Sequence, residues 1–527
     1  MTNLTQAKVN ESPQSSGFCR AWHQASKAFF SLTLLLGAFS TGLAQTNSAA
    51  VTAAAQAFLA TLSPAQSNNV VYASTLANAG HWSNFPIYEA ARSGLSMETL
   101  NATQRVAFLN VAFTALSSNG TNFYEEIRAM DEYLRVNVNP SNYSSEKYYI
   151  SFVGAPVTNA PWLLQLSGHH ASYNNIYNAA YASGTPMFIG TEPNIYTNEN
   201  IVHRPLSVPA DAVTALRQTL TGAAQLAGSY TEVAFGVTPQ TGYDDTWPNV
   251  YPTTGRGQLY SNLTSNQQAL VRAFMEFYVN QMPEETAASL LLDYQNPAAL
   301  AQTYVGYSGS ADLAVLGSYF RVDGPRVWIE FSSRPGVAYT FPHWHSIWRD
   351  KLADYGTAFG TNTISTTNRP PTITSSPTSR TNEVGTSTTF TVNATGQGTL
   401  FYQWQKNGAA IGAATNSAYT ITSVTNSDAA AYRCQVWNFM GYRTSAAATL
   451  TVPTTNPPAI STSSYADGIF QLQVAGDVGP NYIIQGSTNL TDWESLYTTN
   501  PAVMPFNWID PHASNYPARF FRVNYNP

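Results

Sequence analysis

Charge is scarce in this chain. Only 10% of its 527 residues are Asp, Glu, Lys or Arg, against roughly a quarter in typical soluble domains. Solubility therefore rests on abundant Ser, Thr, Asn, Gln and Tyr. The net charge is −6 and no Lys/Arg run occurs. That excludes the basic footprint of a nucleic-acid binder and an extensive patch for anionic membranes. Cysteine is scarcer still, with Cys19 and Cys434 alone. Cys19 lies in a leader-like segment, so a processed chain keeps one thiol and forms no internal disulfide. Cys434 reads as a small buried hydrophobe. H-E-x-x-H, a P-loop, G-x-G-x-x-G and C-x-x-C are missing too, which removes several recognisable catalytic signatures. Gly306-Tyr307-Ser308-Gly309-Ser310 approaches a nucleophile elbow but lacks its last glycine and an identifiable base.

What is present begins with an export signal. Arg20 and Lys27 supply positive charge, Ala28 to Phe39 form an apolar run, and Gly42-Leu43-Ala44 offers small residues to a signal peptidase. Residues 1–44 read as a signal peptide, with Gln45 first in the mature chain. The long lead-in leaves a retained anchor as the alternative, but the run is short for a span of about 20 residues. No later segment looks transmembrane. The expected location is secreted, periplasmic or cell-surface, and the expected partner is an extracellular polymer or a small-molecule substrate.

Three composition regimes follow, and together they predict a multidomain chain. Residues 51–360 mix helix and strand. Ser63-Pro64-Ala65-Gln66, Asn101-Ala102-Thr103-Gln104 and Thr264-Ser265-Asn266-Gln267 each place an oxygen-bearing cap three residues before a Gln that can reciprocate. The spacing predicts helices over Gln104–Leu116, Ala210–Ala227 and Asn266–Asn280, and another from Pro283 with Glu284 and Glu285 at its positive end. Tyr148–Val153, Trp162–Leu166, Pro186–Gly190 and Val327–Phe331 read as strands, so this region is α+β. Residues 361–370, rich in Thr and Asn, read as a linker. Residues 371–452 carry only short alternating strands and predict a small β-sandwich. After Pro453–Pro458, residues 459–527 form a further small all-β module.

Chemistry is concentrated in two spots. The chain has eight histidines. One, His23, is in the leader, and four of the others fall in Gly168-His169-His170 and His343-Trp344-His345. On a strand His343 and His345 project to one face, with Trp344 on the other. That spacing offers two imidazoles to one ion. His169 and His170, if extended, point to opposite faces, so one of them, His170 slightly favoured, would join the same centre. Glu330 would be a carboxylate ligand or general base. A simple register about the Ser333–Val337 turn sets it opposite Thr340, short of His343, so a bulge or longer loop is needed to bring them together. Three nitrogens, one oxygen and an open position describe a catalytic site for a divalent metal, zinc or copper. Arg349 would orient an anionic substrate group, with Asp354 in the catalytic set. Each residue alone also has a structural reading: histidines cap strands, Arg349 pairs with Asp350 or Asp354, and Glu192 caps a turn before Pro193. The competing function is surface binding or adhesion without catalysis.

Three resemblances attach to these regions. Trp404 and Asp428-Ala429-Ala430-Ala431-Tyr432-Arg433-Cys434 resemble the third strand and tyrosine corner of an immunoglobulin-like domain. The first cysteine is replaced near Val392, which implies plain apolar packing against Cys434. Gly486 to Trp493, Asp510-Pro511 and Arg519 to Val523 resemble a C-terminal module of secreted bacterial proteins. From Phe58 to Gly356 the chain resembles a secreted family of unknown function. The carrying motifs are Trp162 to His170, Thr185 to Pro193, Trp328 to Phe331, and His343-Trp344-His345 with Arg349-Asp350 and Asp354-Tyr355-Gly356. That resemblance implies no activity.

Overall fold

The computed structural model describes residues 48–178, 183–228, 251–357, 369–453 and 457–526. The expected signal segment, and the expected linker as far as residue 368, lie outside the described residues. No helix among the described residues is long and apolar enough to cross a membrane.

The first domain is built on one 11-stranded sheet. Its strands are β1 (Val71–Tyr72), β2 (Leu95–Ser96), β3 (Tyr149–Val153), β4 (Trp162–Gly168), β5 (Ala171–Tyr177) and β6 (Met187–Thr191). After a small separate hairpin, β7 (Tyr196–Asn198) and β8 (Ile201–His203), the sheet resumes with β9 (Gln258–Leu259), β10 (Tyr304–Ser308), β11 (Tyr319–Asp323), β12 (Val327–Arg334) and β13 (His343–Asp350). The spatial order is β1-β3-β4-β5-β6-β13-β12-β11-β10-β9, with β2 paired to β3. Two antiparallel meanders, β3 to β6 and β10 to β13, thus meet where β6 pairs with β13. That seam brings the two histidine motifs together.

Helices α1 (Ser48–Ala60), α2 (Ala102–Ala115), α3 (Ser118–Asn137), α4 (Ser207–Thr219), α5 (Ser265–Val279) and α6 (Glu284–Gln295) supply the other half of the domain. The capping boxes at Ser63, Asn101 and Thr264 all form. α4 is shorter than its expected span. It stops at Thr219, and Thr221 caps a separate short 3₁₀ turn instead, because β-branched and glycine residues there favour leaving the helix.

Alternation along the strands gives the sheet two unlike faces. Trp162, Leu164, Leu166, Tyr173, Ile189, Ile329, Trp344 and Trp348 pack under the helices in the main core. Leu163, Ile176, Phe188 and Ile347 face the other way, against Ala79, Trp82 and Tyr355. This second face also buries Gln165, Ser167, Asn174, Glu330, His345 and Arg349. Polar groups on a buried face need partners, and the segment around residues 79–94 provides them. Ala79 O accepts from Gln165, and Ser83 O accepts from Ser167, Ser172 and Arg92.

The second domain is an immunoglobulin-like sandwich around Phe390, Trp404, Tyr432 and Cys434. Trp404 stands opposite Cys434 on the neighbouring strand. Val392 and Cys434 share the core as apolar residues, and the Tyr432 hydroxyl donates to Asp428 O at 2.9 Å. The last region is all-β, two three-stranded sheets around Leu472, Val474, Tyr482 and Ile484.

Candidate metal centre

The β4–β5 hairpin is the first half of the site. Gly168 pairs with Ala171, so His169 and His170 form its two-residue turn. They are therefore not extended, and the expectation that they point to opposite faces does not hold. His170 has φ 60, a left-handed conformation that costs a non-glycine residue roughly 1–2 kcal/mol. It folds the two rings over the end of the sheet, 3.9 Å apart by centroid. Two glycines make room. A Cβ on Gly168 would lie 2.2 Å from the Tyr148 ring, and one on Gly190 would lie 2.6 Å from His170 Cδ2. Gly190 stands opposite His345 across the seam, so its missing side chain is the space that the His170 ring fills.

The second half is the start of β13. His343 and His345 share the loop-covered face, with Trp344 packed under the helices. His343 Nε2 lies 2.7 Å from His345 Nε2, and His170 Nε2 lies 3.2 Å from His345 Nε2. His170, His343 and His345 form a buried group whose ligand atoms all lie within 4.8 Å of one another. A tetrahedral site with metal–nitrogen bonds of about 2 Å has edges of roughly 3.3 Å, so the three imidazoles converge at coordination scale. Burial, then the neighbouring imidazoles and Arg92, hold the His170 pKa well below the ordinary histidine value. Burial, then His345, His169 and Arg334, also push that of His343 down. Neutral imidazole is the form that binds a metal.

A second group overlaps the first: His169, His170 and Glu192, again with ligand atoms within 4.8 Å. His169 Nδ1 is 2.7 Å from Asp131 Oδ1 on α3. The other Asp131 oxygen accepts from Tyr148 Oη at 3.0 Å. A carboxylate in that position fixes the tautomer and orientation of a ligating histidine. Glu192 Oε1 accepts three backbone N–H groups, from Val337, Ala338 and Tyr339, at 2.7, 2.8 and 2.9 Å. It pins the β12–β13 connection beside the histidines.

His170, the slightly favoured of the two candidates, therefore joins His343 and His345, and His169 stands beside it in the overlapping group. Glu330 does not join them. The long β12–β13 connection sets it opposite Ile347, not Thr340, with Ser332 opposite His345. Its Oε1 accepts from Tyr319 Oη at 2.6 Å, and it belongs to neither cation-capable group among the described residues. Arg349 is fully buried and donates through Nε to Asp354 Oδ2 at 2.7 Å. Asp354 also accepts from Asp350 N at 2.9 Å. Burial raises the Asp354 pKa against the pull of Arg349.

The expected site residues do not include Asp131 or Tyr148, and Glu192 is expected only as a turn cap. A signal for Asp131 existed: it lies on the buried stripe of α3 with Tyr124, Ile127 and Leu134. An acid at a core position of an amphipathic helix needs a buried partner.

Among solved structures the chain is similar to a titin M4 domain, at 25% identity over 16% of this chain and 98% of that one, with a TM-score of 0.16. It is also similar to titin domains Z1Z2 in complex with telethonin, at 22% identity over 23% and 71%, with a TM-score of 0.18. Tandem immunoglobulin repeats of Dlar match at 20% identity over 26% and 87%, with a TM-score of 0.16. No curated protein matches. An immunoglobulin-domain model matches residues 370–438. The model of a protein family of unknown function, DUF3500, matches residues 44–357, more than half of the chain, and the protein belongs to that family.

Proposed function

We propose that the first domain is a metal-dependent enzyme, a hydrolase, in which His170, His343 and His345 hold one divalent cation such as zinc or copper. One observation carries the reading: imidazoles from two remote segments meet with their Nε2 atoms 2.7 and 3.2 Å apart. Buried imidazoles so close to one another have little reason to converge unless something binds between them. A cation held there would activate a bound water or polarise a substrate oxygen. The chain's own part is to orient the ligands. The β6–β13 ladder sets His345, the hairpin turn sets His170, and Asp131 holds His169 beside them. Glu330, held by Tyr319, stands one same-face pair farther along the ladder, about 7 Å away by strand rise. It serves as a base through an intervening water. The Arg349–Asp354 pair braces β13 and does not contact substrate.

We read the protein as exported, acting on an extracellular polymer or small molecule. The second reading is a surface-binding protein without catalysis, and the near-complete burial of the four histidines favours it. Metal analysis separates the two. Protein loaded with zinc or copper and passed through a desalting column is expected to retain at least one equivalent, and the double variant His343→Ala/His345→Ala to retain one equivalent fewer. A wild-type chain that retains none, or a folded double variant with unchanged loading, would leave the binding reading.

A further inference from the structure

We propose that the cluster is built for two divalent cations, with His170 bridging them as an imidazolate. This rests on the metal-site reading above and extends it. His170 Nε2 faces His345 in the three-histidine group, while its Nδ1, on the other side of the ring, is buried with no partner among the described residues. His169 Nδ1 is taken up by Asp131, and its Nε2 is likewise buried with no partner. Glu192 spends Oε1 on three backbone N–H groups, and its Oε2 is buried with no partner. These three ligand atoms belong to the three residues of the second cation-capable group. Buried polar atoms are normally paired, so three residues that converge from a hairpin turn and from just past β6, each carrying one such orphan, mark a second binding point.

The two nitrogens of one imidazole point away from each other and cannot bind the same ion. With Nε2 toward His345 and the orphan Nδ1 assigned to the second group, His170 bridges the two. The second cation displaces the remaining ring N–H proton to solvent, and the ions would stand roughly 6 Å apart, from metal–nitrogen bonds of about 2 Å. The Glu192 carboxylate and the imidazolate together offset two of the four added positive charges. Asp131 behind His169 offsets a third.

The test loads metal-free wild-type protein with copper(II) alone and measures bound copper and its electron spin resonance. Two equivalents per chain are expected, with spin intensity well below the copper content because an imidazolate couples the pair. Glu192→Gln should bind one equivalent with full spin intensity. His169→Gln should do the same, and reads the point should Glu192→Gln fail to fold. Saturation at one equivalent in the wild type overturns the second site and leaves the three-histidine site standing. Two equivalents with uncoupled spins, or two retained in both variants, overturn the bridge. No bound copper or zinc overturns both readings.

Discussion

At the scale of single residues, the site depends on carboxylates that stand behind the histidines. Asp131 is the clearest. It is buried in α3 and accepts from Tyr148 while facing His169 Nδ1. Replacing it by Asn keeps size and one acceptor but removes the charge that holds the imidazole with Nδ1–H toward the helix. Second partners of metal-bound histidines typically contribute about 10–100-fold in affinity. Asp131→Asn should therefore weaken metal retention by about that factor in a chelator competition. The lost charge-assisted bond should lower stability by about 1.5–3 kcal/mol. An unaltered affinity would mean that His169 takes no part in binding. Gly190 makes the complementary point through its missing side chain. A methyl there would meet the His170 ring at 2.6 Å, so Gly190→Ala should disturb metal uptake even though glycine binds nothing.

At the scale of elements, one loop and one ion cluster hold β12 and β13 in place. The β12–β13 connection depends on Glu192, whose single oxygen takes three N–H groups. Glu192→Ala should free that connection, and chymotryptic cleavage after Tyr339 should accelerate markedly, while cleavage of Glu192→Gln stays near the wild-type rate. At the end of β11, Asp323 is clamped by Arg256 and Lys351 at 2.6 Å each. Burial raises its pKa, but the Arg256 and Lys351 contacts outweigh that and leave it below the ordinary value of 3.8. A carboxyl with a depressed folded-state pKa stabilises above its unfolded value and loses that contribution as pH falls through the folded value. Asp323→Asn should thus be less stable than wild type at pH values well above about 4, and the gap should close in acid. A gap that persisted at the lowest pH would mean that the ion cluster is not its source. The legibility of these elements from the sequence follows the same division. Caps at Asn101 and Thr264 are local, and the helices they start were readable within a residue or two. The faces of His343, Trp344 and His345 follow from alternation alone. The partner of Glu330 was not readable, because register depends on the length and anchoring of a loop held by Glu192 from another strand. The turn at His169 and His170 is not legible because β5, whose buried run Ala171–Tyr177 mixes polar and apolar residues, does not declare itself a strand.

At the scale of the whole molecule, β13 joins two jobs. Its first residues carry the clustered histidines, and its last, Asp350, belongs to the contact between the first domain and the immunoglobulin-like one. Arg326 lies between Asp293 and Asp350, and Asp350 also accepts from Tyr294 and from the N–H groups of Leu352 and Ala353. From the other domain Tyr442 N donates to Asp293 at 2.9 Å, and Met440 and Phe439 pack on Leu352 and Ala353. Gly441 makes the close approach possible. Its φ of 139 strains any side chain, and an added Cβ would lie 2.5 Å from Asp293 Oδ1. The charges at its centre all belong to the first domain, so opening the contact takes from Asp293 the Tyr442 N–H bond, a change of about 1.5–3 kcal/mol for a bond to a charged group. Gly441→Val should therefore do two separable things. Calorimetry should show the immunoglobulin-like domain melting apart from the first domain, whose midpoint falls by several degrees. Metal content should stay unchanged, because His343 and Asp350 are seven residues apart on an extended strand, roughly 23 Å. Loss of metal together with the interface would instead mean that β13 transmits the disturbance, and that the second domain sets the geometry of the histidines in the first.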